Sequence, residues 1–371
     1  FVILRSQLNK NNLELSIACS DGLLKIVKTS EVKNQIQEPL TEEIKIFAKQ
    51  YFTIHCFMTL LTDVDKSGLI IDQIITEQKK LVHIILKLVS IQIPESPIDS
   101  HIKHIIDQSD KDLPFILEFF DTSFSKEIRD VLMPIIDPEI GFKQKNIDHE
   151  NNKNSPESHL KNWAESKNQW KSAISIDYII NHNKSFIEEI KWDNVAPSQY
   201  LAEIFDDYKE EETIIPINKF KKRSEQNMFT ILEKTILLKT VDLFQDIPGD
   251  LLSQISQISK AKNYENGEII FKEGDAGDSM FIVIDGEISI KKGDKLLAKL
   301  QRGASLGEMA LLDHETRSAD AMAEKDSVLL KINQDVFYEL MESNADIMKQ
   351  IIKLLTSRIR EANTKLERSL K

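Results

Sequence analysis

Glycine, glutamate and arginine stand close together in SLGEMALLDHETRSADAMA, residues 305–323, in an arrangement that suits a phosphate-bearing ligand. The apolar run LGEMALL predicts one short helix whose first backbone N–H groups lack helical acceptors and are open to an anion. Arg317 lies ten residues after Gly307, so its guanidinium can face the same concavity. Glu308 repels a bare phosphate but accepts hydrogen bonds from hydroxyl groups. These residue types predict a ligand with an anionic oxygen at one end and a sugar hydroxyl at the other.

Short strands and glycine turns surround this stretch and must position it. After residue 260 apolar and polar residues alternate, as expected for strands with one buried face. The segment SMFIVIDGEISI predicts a β-hairpin, two strands joined at an Asp285–Gly286 turn. The glycines of NYENGEIIFKEGDAGDS favour further tight turns. Together these segments predict a small, closed antiparallel β-roll over about residues 261–333.

Helical periodicity precedes and follows the predicted roll. A long amphipathic helix is predicted over about residues 344–367 from a stripe of apolar residues, namely Ile347, Ile351, Leu355, Ile359, Ala362 and Leu366. On the N-terminal side, LPFILEFFDTSFSKEIRDVLMPIID predicts two helices of a hairpin joined around Thr122 to Ser125. We find no strict period there, and the segments suggest irregular helical pairs of the HEAT-like kind.

The predicted fold class is α+β and multidomain. N-terminal all-α HEAT-like helical repeats are followed by a C-terminal β-roll of the jelly-roll type with flanking helices. The predicted domains are an α-helical HEAT-like region (1–141), a linker or loop (142–158), a further α-helical segment (159–225) and a ligand-binding domain (226–371). The linker is predicted because FKQKNIDHENNKNSPES is polar, charged and almost free of large apolar side chains.

Residues 240–371 resemble the cyclic nucleotide-binding domains of catabolite activator proteins, protein kinase A regulatory subunits and cyclic nucleotide-gated channels. The resemblance is carried by LFQDIPGDLLSQIS for the lead-in helix, GEIIFKEGDAGDSMFIVIDGEISI for the roll glycines, and LGEMALLDHETRSADA for the phosphate-binding segment. It implies cAMP or cGMP as the ligand, with cAMP as the default, and no metal.

The resemblance also implies roles for individual residues. Gly307 leaves room for the ribose, Glu308 accepts the ribose 2′-hydroxyl and Arg317 pairs with the cyclic phosphate. Ser318 lies beside the phosphate and the base, and its hydroxyl suits cGMP as well as cAMP. We expect Glu308 and Arg317 to line the pocket surface rather than the core. The predicted site comprises Gly307, Glu308, Met309, Ala310, Arg317, Ser318 and Arg358, the last on the C-terminal helix that closes over the base in this family.

Three residues depart from the family pattern. Thr316 stands where a proline is common, His314 where a glycine is common, and Asp320 where a small uncharged residue is usual. These departures bear on affinity more than on fold. Because some domains of this family keep the roll and lose the ligand, a ligand-free scaffold is an alternative, in which Glu308 and Arg317 pair with each other.

Charge and motifs disfavour other function classes. The 371 residues carry 48 Lys and Arg against 60 Asp and Glu, a net charge of −12, which disfavours nucleic acid as a partner. Cys19 and Cys56 form neither a metal spacing nor a disulfide framework. His101 and His104 stand three residues apart, but no carboxylate or cysteine ligand is placed nearby in sequence, so ordinary helix positions explain them better. Without GxxxxGK, GxSxG or HExxH motifs, we expect neither an enzyme nor a metal site.

The sequence therefore predicts a cytoplasmic cyclic nucleotide sensor that couples its β-roll to an α-helical region contacting a protein partner. Besides the ligand-free scaffold, the alternative is the soluble regulatory tail of a membrane protein. Helical repeats followed by such a roll resemble, more loosely, the cytoplasmic extension of certain bacterial nucleotide-transporter-like membrane proteins, and a start at Phe1 rather than Met suits a fragment. The apolar stripe of the C-terminal helix also leaves a homodimer open.

Overall fold

The chain folds into helices followed by a β-roll, as seen in a computed structural model. The residues that the structure describes are 2–9, 12–29, 40–61, 68–93, 98–106, 113–137, 156–182, 184–207, 229–241, 244–245, 247–307, 316–343 and the helical positions 345, 347–349, 352 and 356. The chain divides into two compact units, 1–66 with 70–159, and 67–69 with 160–371.

The described residues of the first unit form helices and their connections, without a strand. Its helices are α1 (Val2–Ser6), α2 (Leu13–Thr29), α3 (Thr41–Leu61), α4 (Leu69–Gln92), α5 (Ile98–Ile106), α6 (Leu113–Ser123) and α7 (Lys126–Ile136). The predicted hairpin is confirmed, because α6 ends at Ser123, α7 begins at Lys126 directly after the expected connection, and the two helices pack together. The largest fully buried side chains of the unit include Phe47, Phe57 and Phe120.

Helix α8 (Pro156–Ala164) begins within the predicted linker, the rest of which lies outside the described residues. The second unit continues with α9 (Gln169–His182), a 3-10 helix (Lys184–Glu189), α10 (Gln199–Asp207), α11 (Ile231–Lys239) and α12 (Gly249–Ile258). The strands are β1 (Lys260–Tyr264), β2 (Ile269–Phe271), β3 (Ser279–Asp285), β4 (Ile288–Lys292), β5 (Lys295–Leu300), β6 (Ser305–Leu306), β7 (Asp320–Ala323) and β8 (Ser327–Asn333), and α13 (Gln334–Ser343) follows.

The eight strands form two antiparallel sheets of four. One sheet has the order β1-β8-β3-β6 and the other has the order β2-β7-β4-β5. Strand β3 is apolar on both faces because it lies between two cores. Phe281 and Val283 pack in a cluster with residues of the second sheet, whereas Met280, Ile282 and Ile284 pack in a cluster with residues of α11, α12 and α13.

The predicted hairpin of β3 and β4 is wrong. Strand β3 pairs with β6 and β8, whereas β4 pairs with β5 and β7, so the Asp285–Gly286 turn carries the chain from one sheet to the other. Gly286 has φ +96°, and a Cβ there would lie 2.8 Å from the Cα of Ser327. The glycine therefore permits a close backbone approach at the crossing rather than a hairpin turn.

The α+β class and the order of a helix-rich region followed by a roll are as predicted. The HEAT-like character and the domain boundaries stay predictions. Most of the predicted helix 344–367 lies outside the described residues, although Ile347 is helical and buried. Over the described part of the chain, no helix combines the length and apolarity needed to cross a membrane.

Candidate functional site

Gly307 and Arg317 meet at the end of strand β6. This two-residue strand pairs with β3, with Leu306 opposite Phe281, and Gly307 follows it with φ +73°. A Cβ built on Gly307 would lie 2.4 Å from Nη1 of Arg317 and 3.3 Å from the carbonyl oxygen of Ser279. Glycine is thus required here twice, by the backbone conformation and by the guanidinium that occupies the side-chain space.

Two backbone hydrogen bonds hold Arg317 in place before strand β7 begins. Its N–H donates to the carbonyl oxygen of Asp275 at 2.9 Å, and its own carbonyl accepts from the N–H of Gly274 at 2.8 Å. Both partners belong to the turn that follows β2. The backbone of the arginine is therefore tied to this turn.

The guanidinium of Arg317 is buried, not surface-lining as expected from the sequence. The residue is only 5% exposed, because the turn after β2 and the start of β3 enclose it. Its Nη2 donates to Oγ of Ser279 at 3.3 Å and lies 3.9 Å from Oδ1 of Asp278. Burial lowers the pKa of Arg317 from its ordinary value, while the charges of Asp278 and Asp275 oppose that shift.

The remaining N–H groups of the guanidinium point to an acceptor from outside. Nε and Nη1 of Arg317 are buried and make no hydrogen bond within the described part of the protein. Buried donors are nearly always paired in folded proteins, so two orphaned donors on one cation call for an explanation. Nη1 is the terminal nitrogen on the Cδ side of the guanidinium, so the Nε–H and Nη1–H bonds point in different directions. Each of them can donate to a separate acceptor oxygen of an anionic ligand.

Three of the seven residues of the predicted site can be located. Gly307 and Arg317 come together, and Ser318 lies beside Arg317 with an exposed side chain. Glu308, Met309, Ala310 and Arg358 lie outside the described residues, as does His314. Their predicted roles stay predictions.

One departure from the family pattern has a structural explanation. Asp320 accepts a hydrogen bond from the backbone N–H of Glu273 through Oδ1 at 2.7 Å. This bond fixes the chain at Glu273, between β2 and the turn at Gly274. The backbone of that turn is hydrogen-bonded to the backbone of Arg317. Asp320 thus supports the arginine from a distance and does not compete for its guanidinium. Thr316, the second departure, is exposed.

Sequence reasoning missed two neighbours of the arginine. Phe271 on β2 has its ring centroid 4.2 Å from Cζ of Arg317, and Ser279 on β3 accepts from Nη2. Neither residue belongs to the stretch 305–323, and only knowledge of the strand pairing brings them to it. For metals, the described residues contain no group of three or more His, Cys, Asp or Glu side chains able to hold an ion.

A protein family model matches the strand-containing part of this unit. The family model described as "Cyclic nucleotide-binding domain" matches residues 261–344, which include all eight strands from the second residue of β1 onward. Gly307, Arg317 and Phe271 lie within this match.

Among curated proteins, the chain is similar to human cGMP-dependent protein kinase 2, with 28% identity over 121 residues that cover 31% of this chain and 16% of the kinase. It is also similar to the Cyclic AMP receptor protein of Thermus thermophilus, with 28% identity over 135 residues that cover 35% of this chain and 62% of the receptor. The chain thus spans less than two thirds of the length of either relative.

Two solved structures are each similar over about a third of the chain. The Catabolite Activator Protein of Thermus thermophilus has 28% identity and a TM-score of 0.30, covering 34% of this chain and 62% of that chain. A structure described as "cAMP bound PfPKA-R (141-441)" has 28% identity and a TM-score of 0.28, covering 34% of this chain and 48% of that chain.

Proposed function

Given that residues 261–344 form a cyclic nucleotide-binding domain, we propose that this chain binds cAMP or cGMP and that Arg317 holds the cyclic phosphate. The observation that carries the proposal is the buried guanidinium of Arg317, whose Nε and Nη1 have no acceptor among the described residues. A cyclic phosphate supplies a negative charge and acceptor oxygens, which are what these unpaired donors of a cation lack.

Burial makes this contact strong. A hydrogen bond to a charged group contributes roughly 1.5–3 kcal/mol, about twice the value for neutral partners. The guanidinium is already shielded from water at 5% exposure, so it gives up little hydration when the phosphate arrives. The missing side chain of Gly307 allows Nη1 of Arg317 to lie close to the backbone.

The proposal includes both adenine and guanine as the base of the ligand. The relatives include a cGMP-dependent kinase and a cyclic AMP receptor at equal identity, 28% each. Ser318, the residue predicted to lie beside the base, is exposed and offers a hydroxyl to either nucleotide. The proposal therefore covers both cyclic nucleotides.

Titration calorimetry on the full chain tests the proposal. We expect heat and a rise in melting temperature with cAMP or cGMP, since a ligand at a hundred times its Kd stabilises the folded state by about 2.7 kcal/mol. Adenosine and guanosine, which lack the phosphate, serve as matched ligands that should bind far more weakly. If neither cyclic nucleotide produces heat or a thermal shift at millimolar concentration, the roll is a ligand-free scaffold.

We further propose that the protein is regulatory rather than catalytic, and that α10 carries the signal out of the roll domain. Tyr200 on α10 forms a hydroxyl–hydroxyl hydrogen bond with Ser253 on α12 at 2.9 Å and accepts from Nε2 of Gln257 at 2.8 Å. Glu203, also on α10, accepts from the backbone N–H of Ile231 at 2.6 Å. Since α11 and α12 pack on strand β3, a shift in the roll reaches α10 through these bonds.

The helical region before residue 208 would then be the surface that meets a protein partner. We infer this partner-binding surface from the hydrogen bonds that join α10 directly to α11 and α12, the helices next to the roll. The described helices of the first unit supply the additional surface, and a pull-down with and without ligand would show whether partner binding depends on the nucleotide.

A further inference from the structure

The aromatic ring of Phe271 supports the guanidinium of Arg317. Cζ of the arginine lies 4.2 Å from the ring centroid of Phe271, well inside the range of a cation–π interaction. The ring of Phe281 is more distant, with its centroid 6.0 Å from Cζ. Among the described residues, Phe271 thus provides the nearest face for the cation, while the carboxylate of Asp278 remains 3.9 Å from Nη2.

A β-bulge brings the ring to this position. Strand β2 pairs with β7, with Ile269 opposite Met322 and Phe271 opposite Ala321, so two steps along β2 match one step along β7. A bulge of this kind bends the strand and changes the direction of its side chains. Arg317 lies four residues before Ala321 and is bonded to the turn that follows Phe271. The same short segment therefore fixes both the ring and the cation.

The ring of Phe271 offsets part of the free-energy cost of burying the guanidinium when no ligand is bound. A buried cation without hydrogen-bond acceptors is costly, and flexible arginines normally avoid this cost by turning toward water. The face of a phenylalanine carries partial negative charge and attracts a cation without accepting its hydrogen bonds. The guanidinium can thus be held in place while Nε and Nη1 stay free.

We propose that Phe271 is a positioning residue for phosphate recognition, which holds the guanidinium of Arg317 in its binding orientation before the ligand arrives. The inference rests on the proposed function and specifies how its central residue is prepared. Affinity gained in this way comes from ordering that is complete before binding, because the side chain then loses less freedom when the complex forms. The side chain at position 271 must be aromatic for this role, whereas its exact size and polarity matter little.

The test compares Phe271→Leu with Phe271→Tyr in the full chain. Leucine retains apolar volume but removes the aromatic face, and tyrosine retains the face. We expect Phe271→Leu to bind the cyclic nucleotide roughly three- to twentyfold more weakly than wild type, and Phe271→Tyr to bind within about twofold of it. Phe281→Leu is the matched control, since it removes a phenylalanine of the same core at a greater distance from Cζ.

A second readout reports on the arginine without any ligand. The Nε–H resonance of Arg317, assigned by its disappearance in Arg317→Lys, should be displaced by the ring current of Phe271 in wild type and in Phe271→Tyr. In Phe271→Leu the resonance should move toward the position of solvated arginines. A ring that only fills space in the core would lower the melting temperature without moving this resonance.

The outcomes separate the inference from the function on which it rests. Wild-type binding with unchanged affinity in Phe271→Leu would overturn the inference and leave the proposed function intact. Equal losses of affinity in Phe271→Leu and Phe281→Leu would also overturn it, because they would indicate a general packing effect. Failure of wild type to bind either cyclic nucleotide would overturn both.

Discussion

A buried arginine with unpaired N–H donors lowers the stability of the unliganded protein. Replacing Arg317 with an apolar residue measures how much stability it costs. We predict that Arg317→Met is at least as stable as wild type without ligand. Methionine keeps a flexible apolar side chain against Phe271 and removes donors that have no described partner. Because an unsatisfied buried donor costs roughly 1–3 kcal/mol, the melting temperature should rise by a few degrees, at about 2–4 °C per kcal/mol.

Thermal unfolding without cyclic nucleotide measures the stability of the unliganded protein, and unfolding with it measures the stabilisation by the ligand. The ligand-induced rise seen in wild type should be absent in Arg317→Met. If the unliganded variant instead melts many degrees lower, the guanidinium holds the fold together. That result would favour the scaffold alternative, in which the arginine has a structural role.

The space beside the guanidinium gives a second prediction at this scale. Gly307→Ala should weaken nucleotide binding by roughly tenfold or more, which is about 1.4 kcal/mol. An alanine Cβ would lie 2.4 Å from Nη1 of Arg317, so the guanidinium must leave its position. Calorimetric titration of the variant measures the loss.

A second glycine offers a matched control for backbone strain. Gly267 has φ +83°, close to the +73° of Gly307, but a Cβ at Gly267 would meet nothing within 4 Å. Both alanine variants pay roughly 1–2 kcal/mol for a left-handed backbone, and only Gly307→Ala should lose affinity. Equal affinities in the two variants would mean that the arginine does not need its observed position.

The sequence predicted that Gly307 and Arg317 lie together because both belong to one continuous stretch that resembles the phosphate-binding segment of this family. The structure brings the two residues together, and their roles toward a ligand stay predictions. The sequence did not reveal Phe271, which lies 46 residues before Arg317 and reaches it only through the pairing of β2 with β7. It also placed Arg317 at the surface, since an arginine is usually exposed and its burial depends on the turn at Gly274. Local pattern thus predicts the ligand contact, and tertiary structure decides its environment.

At the scale of elements, the strands were predicted more reliably than their partners. The segments SMFIVID and ISIKK form β3 and β4 as expected. An Asp–Gly pair between two apolar runs favours a hairpin locally, yet β3 pairs with β6 and β8, and β4 pairs with β5 and β7. Pairing is a non-local property, and the close approach of Gly286 to Ser327 became visible only in the folded chain.

Helix α11 depends on a carboxylate from another helix, which gives an element-scale prediction. Glu203 is 3% exposed and accepts from the N–H of Ile231, the first residue of α11. A negative charge at a helix N-terminus stabilises the helix by roughly 0.3–1 kcal/mol, and up to about 2 when partly buried. We therefore expect Glu203→Gln to lower the free energy of unfolding by about 1–2 kcal/mol in urea denaturation.

The same helix contains a control for that variant. Glu233 accepts from the N–H of Thr230 in the capping box of α11, but it is exposed. Glutamine also serves at this position of a capping box, so Glu233→Gln should cost less than about 0.5 kcal/mol. If the two variants lose the same stability, burial adds nothing and the bond from α10 is not a strong link.

At the scale of the second unit, a route runs from the roll to α10. The core next to β3 contains Leu252 and Ile255 of α12 together with Met280 and Ile282 of the strand. Helix α12 is joined to α11 by the buried ammonium of Lys234, which donates to the carbonyl oxygens of Ser256 and Ser259 near the end of α12. A cation at the C-terminal end of a helix is favourable. The three helices are therefore linked by specific bonds as well as by apolar contact.

Ligand binding should therefore change the local stability of α10, which lies outside the family match at residues 261–344. We predict that saturating cyclic nucleotide slows backbone hydrogen exchange in residues 199–207 as well as in the roll, because a ligand that stabilises the roll also stabilises the helices bonded to it. In Tyr200→Phe, which removes the bonds to Ser253 and Gln257 but keeps the ring, protection of the roll should persist while protection of α10 falls toward its unliganded level. Tyr178→Phe on α9 is the control, since it removes a hydroxyl from the same unit without touching this pair of bonds. Protection confined to the strands in wild type, or undiminished in α10 of Tyr200→Phe, would show that the signal does not leave the roll by this route.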